Sequence, residues 1–94
     1  MIALGVVQLD LLVPGAHSLK AKRQILKGLK DKIRRNYNVS VAEIDYLDKW
    51  QRTTIAVACV NSDRQFVNSV LSQVVNFTER EHCVELVRYE LELF

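Results

Sequence analysis

The strongest constraint on the fold is the order in which two periodicities of apolar residues follow each other along the chain. Segments with a period near two are typical of strands, and segments with a period near 3.6 are typical of helices. Strand-like segments cover residues 2–13, 38–47, 53–61 and 82–93, and helical segments cover residues 19–36 and 63–80. The sequence therefore predicts the element order βαββαβ.

Turn and capping residues mark the ends of these segments. Pro14-Gly15 ends the first strand, because proline has no backbone N–H for the ladder and glycine favours turns. Ser18 is the predicted N-cap of the first helix, and Asn61-Ser62-Asp63 supplies capping residues for the second, since short polar side chains accept hydrogen bonds from the first turn of a helix. The alternation of the second strand changes near Glu43-Ile44, and this change predicts a β-bulge.

The element order predicts how the strands assemble. Each helix joins strands that cannot be hairpin neighbours, and right-handed crossovers return both helices to the same face of the sheet. The predicted fold class is α+β: a ferredoxin-like sandwich with a four-stranded antiparallel sheet and two helices on one face. The strand at 53–61 is the most apolar and is predicted to be central. With 94 residues, the chain is predicted to form one domain, residues 1–94.

Several classes of protein are not supported by the sequence. Residues 2–13 lack a basic leading segment, and no stretch approaches the ~20 apolar residues of a membrane span. Two cysteines are too few for a disulfide scaffold. They also form no ligand-spaced set with the two histidines, and no cofactor motif occurs. We therefore expect a cytoplasmic protein with no metal, no cofactor and no membrane contact.

The positive charge is concentrated in one element. The net charge is only +2, but residues 18–36 carry eight bases and a single acid, Asp31. Five bases recur at spacings of 3, 4, 3 and 4, and cover about 80° of the helix surface. These candidate nucleic-acid-binding residues are Lys20, Arg23, Lys27, Lys30 and Arg34.

This row of bases has two interpretations. Rows of lysine and arginine are suited to successive phosphates of a nucleic acid. Alternatively, the row is a solvated face balanced by acids of neighbouring elements, with Asp31 pairing Lys27 or Arg35. The strand at 53–61 lacks the stacking aromatics of RNA-recognition domains, so we expect any RNA contact to be directed at the backbone. Gly28, inside the helix, is expected to mark close packing.

A second cluster surrounds the turn between the second and third strands. Its candidate partner-binding residues are Glu43, Trp50, Gln51 and Arg52. Trp50 either packs over the core or anchors a partner together with Arg52. Strand parity predicts that Glu43 and Asp45 point the same way. Two carboxylates can serve acid–base chemistry, but no enclosed site is indicated, so we expect no enzyme activity.

Three motifs carry a resemblance to a known family. SLKAKR at 18–23, NVSVAE at 38–43 and WQR at 50–52 occur in the order and spacing of the YlxP-like family of small bacterial proteins, a domain of unknown function. The chain resembles this family over essentially its whole length. The resemblance implies a ferredoxin-like fold and brings no catalytic residues. The family's genes often neighbour those for translation initiation, transcription elongation and ribosome maturation factors, which implies association with RNA or the ribosome.

These observations leave three hypotheses for function. The first is a non-enzymatic protein that binds RNA or a ribosomal particle through its first helix. The second is a protein-interaction or self-assembly module, such as a homodimer formed through the open sheet face. The third is a small enzyme related to the acylphosphatases, which is disfavoured because the segment PGAHSLKAKR has no counterpart of their glycine- and arginine-bearing loop.

Overall fold

A computed structural model describes residues 1–94 and contains the six predicted elements in the predicted order. The strands are β1 (Ala3–Leu12), β2 (Ser40–Asp45), β3 (Arg52–Asn61) and β4 (Glu85–Leu93), and the helices are α1 (Leu19–Asn36) and α2 (Arg64–Glu79). The strands form one sheet in the order β2-β3-β1-β4. Every neighbouring pair is antiparallel. The predicted ferredoxin-like fold and the central place of β3 are thereby confirmed.

Helix α1 begins at the predicted cap, Ser18, and α2 begins at Asp63, the last residue of the predicted capping segment 61–63. The Ser18 hydroxyl accepts a hydrogen bond from the Ala21 N–H at 3.0 Å. The Asp63 carboxylate accepts one from the Gln65 N–H at 2.9 Å. These bonds satisfy backbone donors that a helix end leaves unpaired. Neither helix has the length and apolar character that crossing a membrane requires.

The core lies between one face of the sheet and the two helices. Alternate side chains of β1 and β3 point into it, and an apolar stripe of each helix packs on them. Its fully buried members include Val7, Leu9, Leu11, Ile55, Val57, Leu29, Ile33, Val67, Leu71 and Val74. An edge-to-face contact between Tyr37 and Phe77, with ring centroids 5.9 Å apart, joins the end of α1 to α2.

The predicted bulge is present in β2. Glu43 lies opposite Ile55, but Asp45 lies opposite Thr54, so the register shifts by one residue around Ile44. The prediction that Glu43 and Asp45 point the same way is therefore wrong, because the extra residue reverses the parity of the strand. Glu43 faces the helices, and Asp45 faces the open side of the sheet.

Close backbone packing occurs at Gly5 and not at Gly28. A Cβ atom at Gly5 would lie 2.7 Å from side-chain carbons of Val67 and Leu71. Helix α2 therefore packs directly on the backbone of β1 at this point. A Cβ at Gly28 would meet open space, so the expectation that Gly28 marks close packing is wrong.

These two glycines give a matched pair of stability predictions. Gly5→Ala is expected to lower the free energy of unfolding by about 1–3 kcal/mol, because the new methyl group overpacks the contact with α2. Gly28→Ala is the control and is expected to raise it by up to about 1 kcal/mol, because alanine is the better helix former. Urea unfolding of both variants tests this, and equal effects of the two changes would contradict the assignment.

Candidate functional site

The five candidate bases lie along one side of α1. We call Lys20, Arg23, Lys27, Lys30 and Arg34 the basic stripe. Four of them are exposed and Lys30 is partly buried. From its first to its last residue the stripe runs about 21 Å along the helix, at 1.5 Å per residue. The buried apolar residues Leu26, Leu29 and Ile33 lie on the adjacent side of the helix and anchor it to the core.

Only one carboxylate lies within the stripe. Asp31 pairs with Lys27 at 3.2 Å and with Arg34 at 3.5 Å. Arg34 also donates to the Val41 carbonyl at 3.0 Å, which ties α1 to β2. The predicted pairing of Asp31 with Lys27 is confirmed. Exposed pairs of this kind contribute at most about 1 kcal/mol, so an incoming anion can replace them.

The rest of the stripe has no acidic partner. Lys20, Arg23 and Lys30 have no carboxylate within 4.0 Å. Acids of other elements do pair with α1, but through Lys22 and Lys32, which lie outside the stripe. The hydrogen bond and charge of Glu81, 2.9 Å from Lys32, raise the pKa of that lysine. The positive charge of the stripe is therefore largely uncompensated.

Lys22 is buried, although it is one of the eight basic residues of segment 18–36. Its side chain is 1% exposed, and its ammonium group lies 2.8 Å from the Glu43 carboxylate. It also donates to the Tyr46 carbonyl at 2.6 Å. The Thr53 hydroxyl completes the network by donating to Glu43 at 2.7 Å. The signal for this burial was available, because Lys22 is one helical turn before Leu26 on the apolar side.

The conformation of Tyr46 belongs to the same network. Tyr46 is the only residue other than glycine with a positive φ, at 59°. This left-handed conformation is uncommon outside glycine and asparagine. This conformation accompanies the contact with Lys22, in which the Tyr46 carbonyl accepts a hydrogen bond from an ammonium group that is buried beneath α1.

The structure separates the four candidate partner-binding residues into two groups. Glu43 belongs to the buried pair with Lys22. Trp50, Gln51 and Arg52 line a shallow groove at the surface of the turn. Arg52 reaches towards the Asp10 carboxylate at 3.5 Å, and Glu43 and Arg52 form no ion pair. The Trp50 side chain is 53% exposed.

Asp10 organises the centre of the open sheet face, a role that sequence reasoning missed. It is 8% exposed and accepts hydrogen bonds from Arg88 and Thr54, both at 3.1 Å. Burial alone would raise its pKa, but these hydrogen bonds and the charges of Arg52 and Arg88 outweigh burial and hold the pKa of Asp10 below its ordinary value. No local pattern marks this cluster, because Arg88 lies 78 residues further along the chain.

The lowered pKa of Asp10 predicts a pH-dependent stability. The contribution of the ionised carboxylate is present above its unfolded pKa of about 3.9 and is lost as the pH falls through the lower folded value. Asp10→Asn is expected to lower the free energy of unfolding by about 1–3 kcal/mol near neutral pH. Urea unfolding should show wild type and variant converging at acid pH. The exposed Asp48→Asn is the control, and a difference that stays constant with pH would contradict the prediction.

The open face has a charged centre and apolar ends. Arg88 and Glu90 flank Asp10 and Gln8 in the register of β1 and β4. Exposed apolar side chains lie at the ends of the face, with Leu4 and Val60 at one end and Leu12 at the other. No group of three metal-ligating side chains occurs in the chain. The strongest charged feature with free donors is therefore the basic stripe.

The fold and this surface define a small ferredoxin-like α+β domain with a strongly basic first helix. Residues 4–91 match the model of a family described as "Protein of unknown function (DUF503)". The chain belongs to the DUF503 family. It is 36% identical over 76 residues to "Uncharacterized protein YlxP" of Bacillus subtilis (strain 168), covering 81% of this chain and 83% of that protein. The resemblance to the YlxP-like family is thereby confirmed.

A solved structure with the same fold is the "De novo designed protein Foldit4". The two chains superpose with a TM-score of 0.57, covering 100% of this chain and 97% of the designed one. Their sequences are only 9% identical. This similarity shows the fold alone, because a fold by itself does not specify a function.

Proposed function

We propose that this protein is a non-enzymatic RNA-binding protein of the bacterial cytoplasm, which docks the basic stripe of α1 on RNA, free or within a ribosomal particle. The observation that carries the proposal is that three bases of the stripe have no acidic partner. A role as an accessory to translation or ribosome maturation agrees with the gene neighbourhoods of the YlxP-like family.

The electrostatics of α1 support a polyanionic partner. Lys20, Arg23 and Lys30 keep all their donors available, and Lys27 and Arg34 share the single carboxylate of Asp31. The rest of the chain carries an excess of acidic residues, so the electrostatic field of the protein is asymmetric, with its positive side at α1. Such a field orients an approaching polyanion even when the net charge is small.

The shape of the surface supports backbone contact over base readout. An α-helix presents lysine and arginine side chains at regular intervals along a straight edge, as contact with successive phosphates requires. The open face of β1 and β3 carries Val6, Gln8 and Ala56 where RNA-recognition domains place stacking aromatics. We therefore propose no sequence-specific readout by the sheet.

The arrangement of the carboxylates favours binding over acid–base catalysis. Asp10 is held by two arginines, and Glu43 is held by Lys22. A general acid or base needs a group free to exchange a proton with a substrate in an enclosed site. Both carboxylates are instead committed to internal ion pairs.

The proposal is tested by an electrophoretic mobility shift with ribosomal RNA fragments at two salt concentrations. If all five stripe residues contact phosphates, the affinity should fall about 100- to 500-fold between 50 and 200 mM salt, because each contact releases counterions. An affinity that does not change with salt would contradict the proposal, as would the absence of binding at the lower salt concentration.

A further inference from the structure

A groove at the turn between β2 and β3 combines aromatic rings with positive charge. His17, Tyr46 and Trp50 supply the rings, and Lys49 and Arg52 supply the charge. No carboxylate lines the groove. The exposed half of Trp50 is therefore available for contact in a positively charged setting.

The groove is fixed to the segment that joins β1 to α1. The Val13 N–H donates to the Gln51 carbonyl at 2.9 Å, and the Gln51 side chain donates to the Pro14 carbonyl at 3.3 Å. The buried Lys22 ammonium holds the Tyr46 carbonyl from the helix side. His17 lines the groove and directly precedes Ser18, the N-cap of α1. The groove therefore lies beside the N-cap of α1, the helix that carries the basic stripe.

We infer that this groove binds an unpaired nucleotide, whose base stacks on Trp50 while Lys49 and Arg52 contact the adjacent phosphates. The inference rests on the proposed function and specifies its ligand as RNA with a single-stranded stretch next to the segment held by α1. Platforms for single-stranded nucleic acid combine an aromatic face with a positively charged path for the backbone. Duplex RNA does not fit this description, because its bases are stacked within the helix.

The depression on the open sheet face does not have this character. Three carboxylates, Asp10, Asp45 and Glu90, line the depression on the open sheet face. They would repel phosphates, and Arg88, the one arginine that lines this depression, already pairs with Asp10 at 3.1 Å. This contrast in charge favours the Trp50 groove over the open sheet face as the nucleotide site.

The test uses Trp50 as its own probe, because it is the only tryptophan in the chain. Single-stranded oligouridylate is expected to quench the tryptophan emission of the wild-type protein, and an RNA duplex of the same length is expected to leave it unchanged. Trp50→Ala should weaken oligouridylate binding about 5- to 150-fold, the loss that corresponds to one base–aromatic stack. Phe66→Ala on α2 is the matched control, since Phe66 is similarly exposed at 51%, and it should bind as wild type does.

The outcomes separate this inference from the proposed function. If RNA binds and Arg23→Glu/Lys30→Glu abolishes binding, while Trp50→Ala has no effect or the emission does not change, the inference is overturned and the proposed function stands. If neither single strand nor duplex binds, both are overturned. Equal quenching by oligoglutamate would also overturn the inference, because the groove would then be a general anion site. The quenching of tryptophan emission in the wild-type protein tests the inference without any variant, so the test holds even if Trp50→Ala folds poorly.

Discussion

Replacing Glu43 with alanine is expected to lower the free energy of unfolding by about 3–5 kcal/mol, because it leaves the buried Lys22 ammonium without its counter-charge. The Lys22 side chain is 1% exposed and lies 2.8 Å from Glu43. Small domains have a total stability of about 5–15 kcal/mol, so the variant should lose a large part of it. Urea unfolding followed by circular dichroism measures the change.

Two further variants make this prediction specific. Asp48→Ala removes an exposed carboxylate from the adjacent turn and should change the stability by no more than about 0.5 kcal/mol. Lys22→Met/Glu43→Leu removes both charges and should recover much of the loss, because the desolvation of an unpaired ion disappears. A Glu43→Ala variant as stable as Asp48→Ala would show that the buried pair does not hold α1 to β2.

Reversing two charges of the basic stripe is expected to weaken RNA binding by at least about 25-fold at 0.1 M salt. This figure follows from losing two phosphate contacts, each of which contributes a salt exponent of about 0.7–0.9. Arg23→Glu/Lys30→Glu is the variant of choice, because neither residue has an internal ion pair to disturb. Repulsion between the new carboxylates and phosphate adds to the loss. The affinity is measured by mobility shift, and circular dichroism checks the fold.

The matched control applies the same change of charge to the other helix, α2. Arg64 and Arg80 are exposed, lie at the two ends of α2, and have no carboxylate within 4.0 Å. Arg64→Glu/Arg80→Glu should retain most of the affinity of the wild type. An equal loss in both double variants would assign the binding to net charge alone and would contradict a docking site on α1.

Local signals in the sequence predict the fold well. Ser18 and the capping segment 61–63 are recognised from short polar side chains next to the first helical turn, so their identification needs no tertiary information. The bulge at Ile44 is visible because it breaks an alternation within one strand. The basic stripe is predictable for the same reason, since its spacing is a property of one helix.

The contacts between distant segments could not be predicted in this way. The sequence does not show which of Gly5 and Gly28 is closely packed. The difference comes from the packing of α2 on β1. The position of Lys22 on the apolar side indicates that it can be buried, but its partners Glu43 and Tyr46 lie in and directly after β2, and no local pattern connects them to it. The exposure of Trp50 could not be predicted either, because tertiary packing decides which aromatic residues enter the core.

The most direct test of the proposed role of α1 is the dependence of RNA affinity on salt for the wild type and for Arg23→Ala/Lys30→Ala. Each lost phosphate contact should reduce the slope of log K against log salt by about 0.7–0.9, so the slope of the variant should be shallower by about 1.4–1.8. That difference would show that these two side chains neutralise phosphates. An unchanged slope would show that they do not contact the RNA, and would contradict the assignment of binding to the basic stripe.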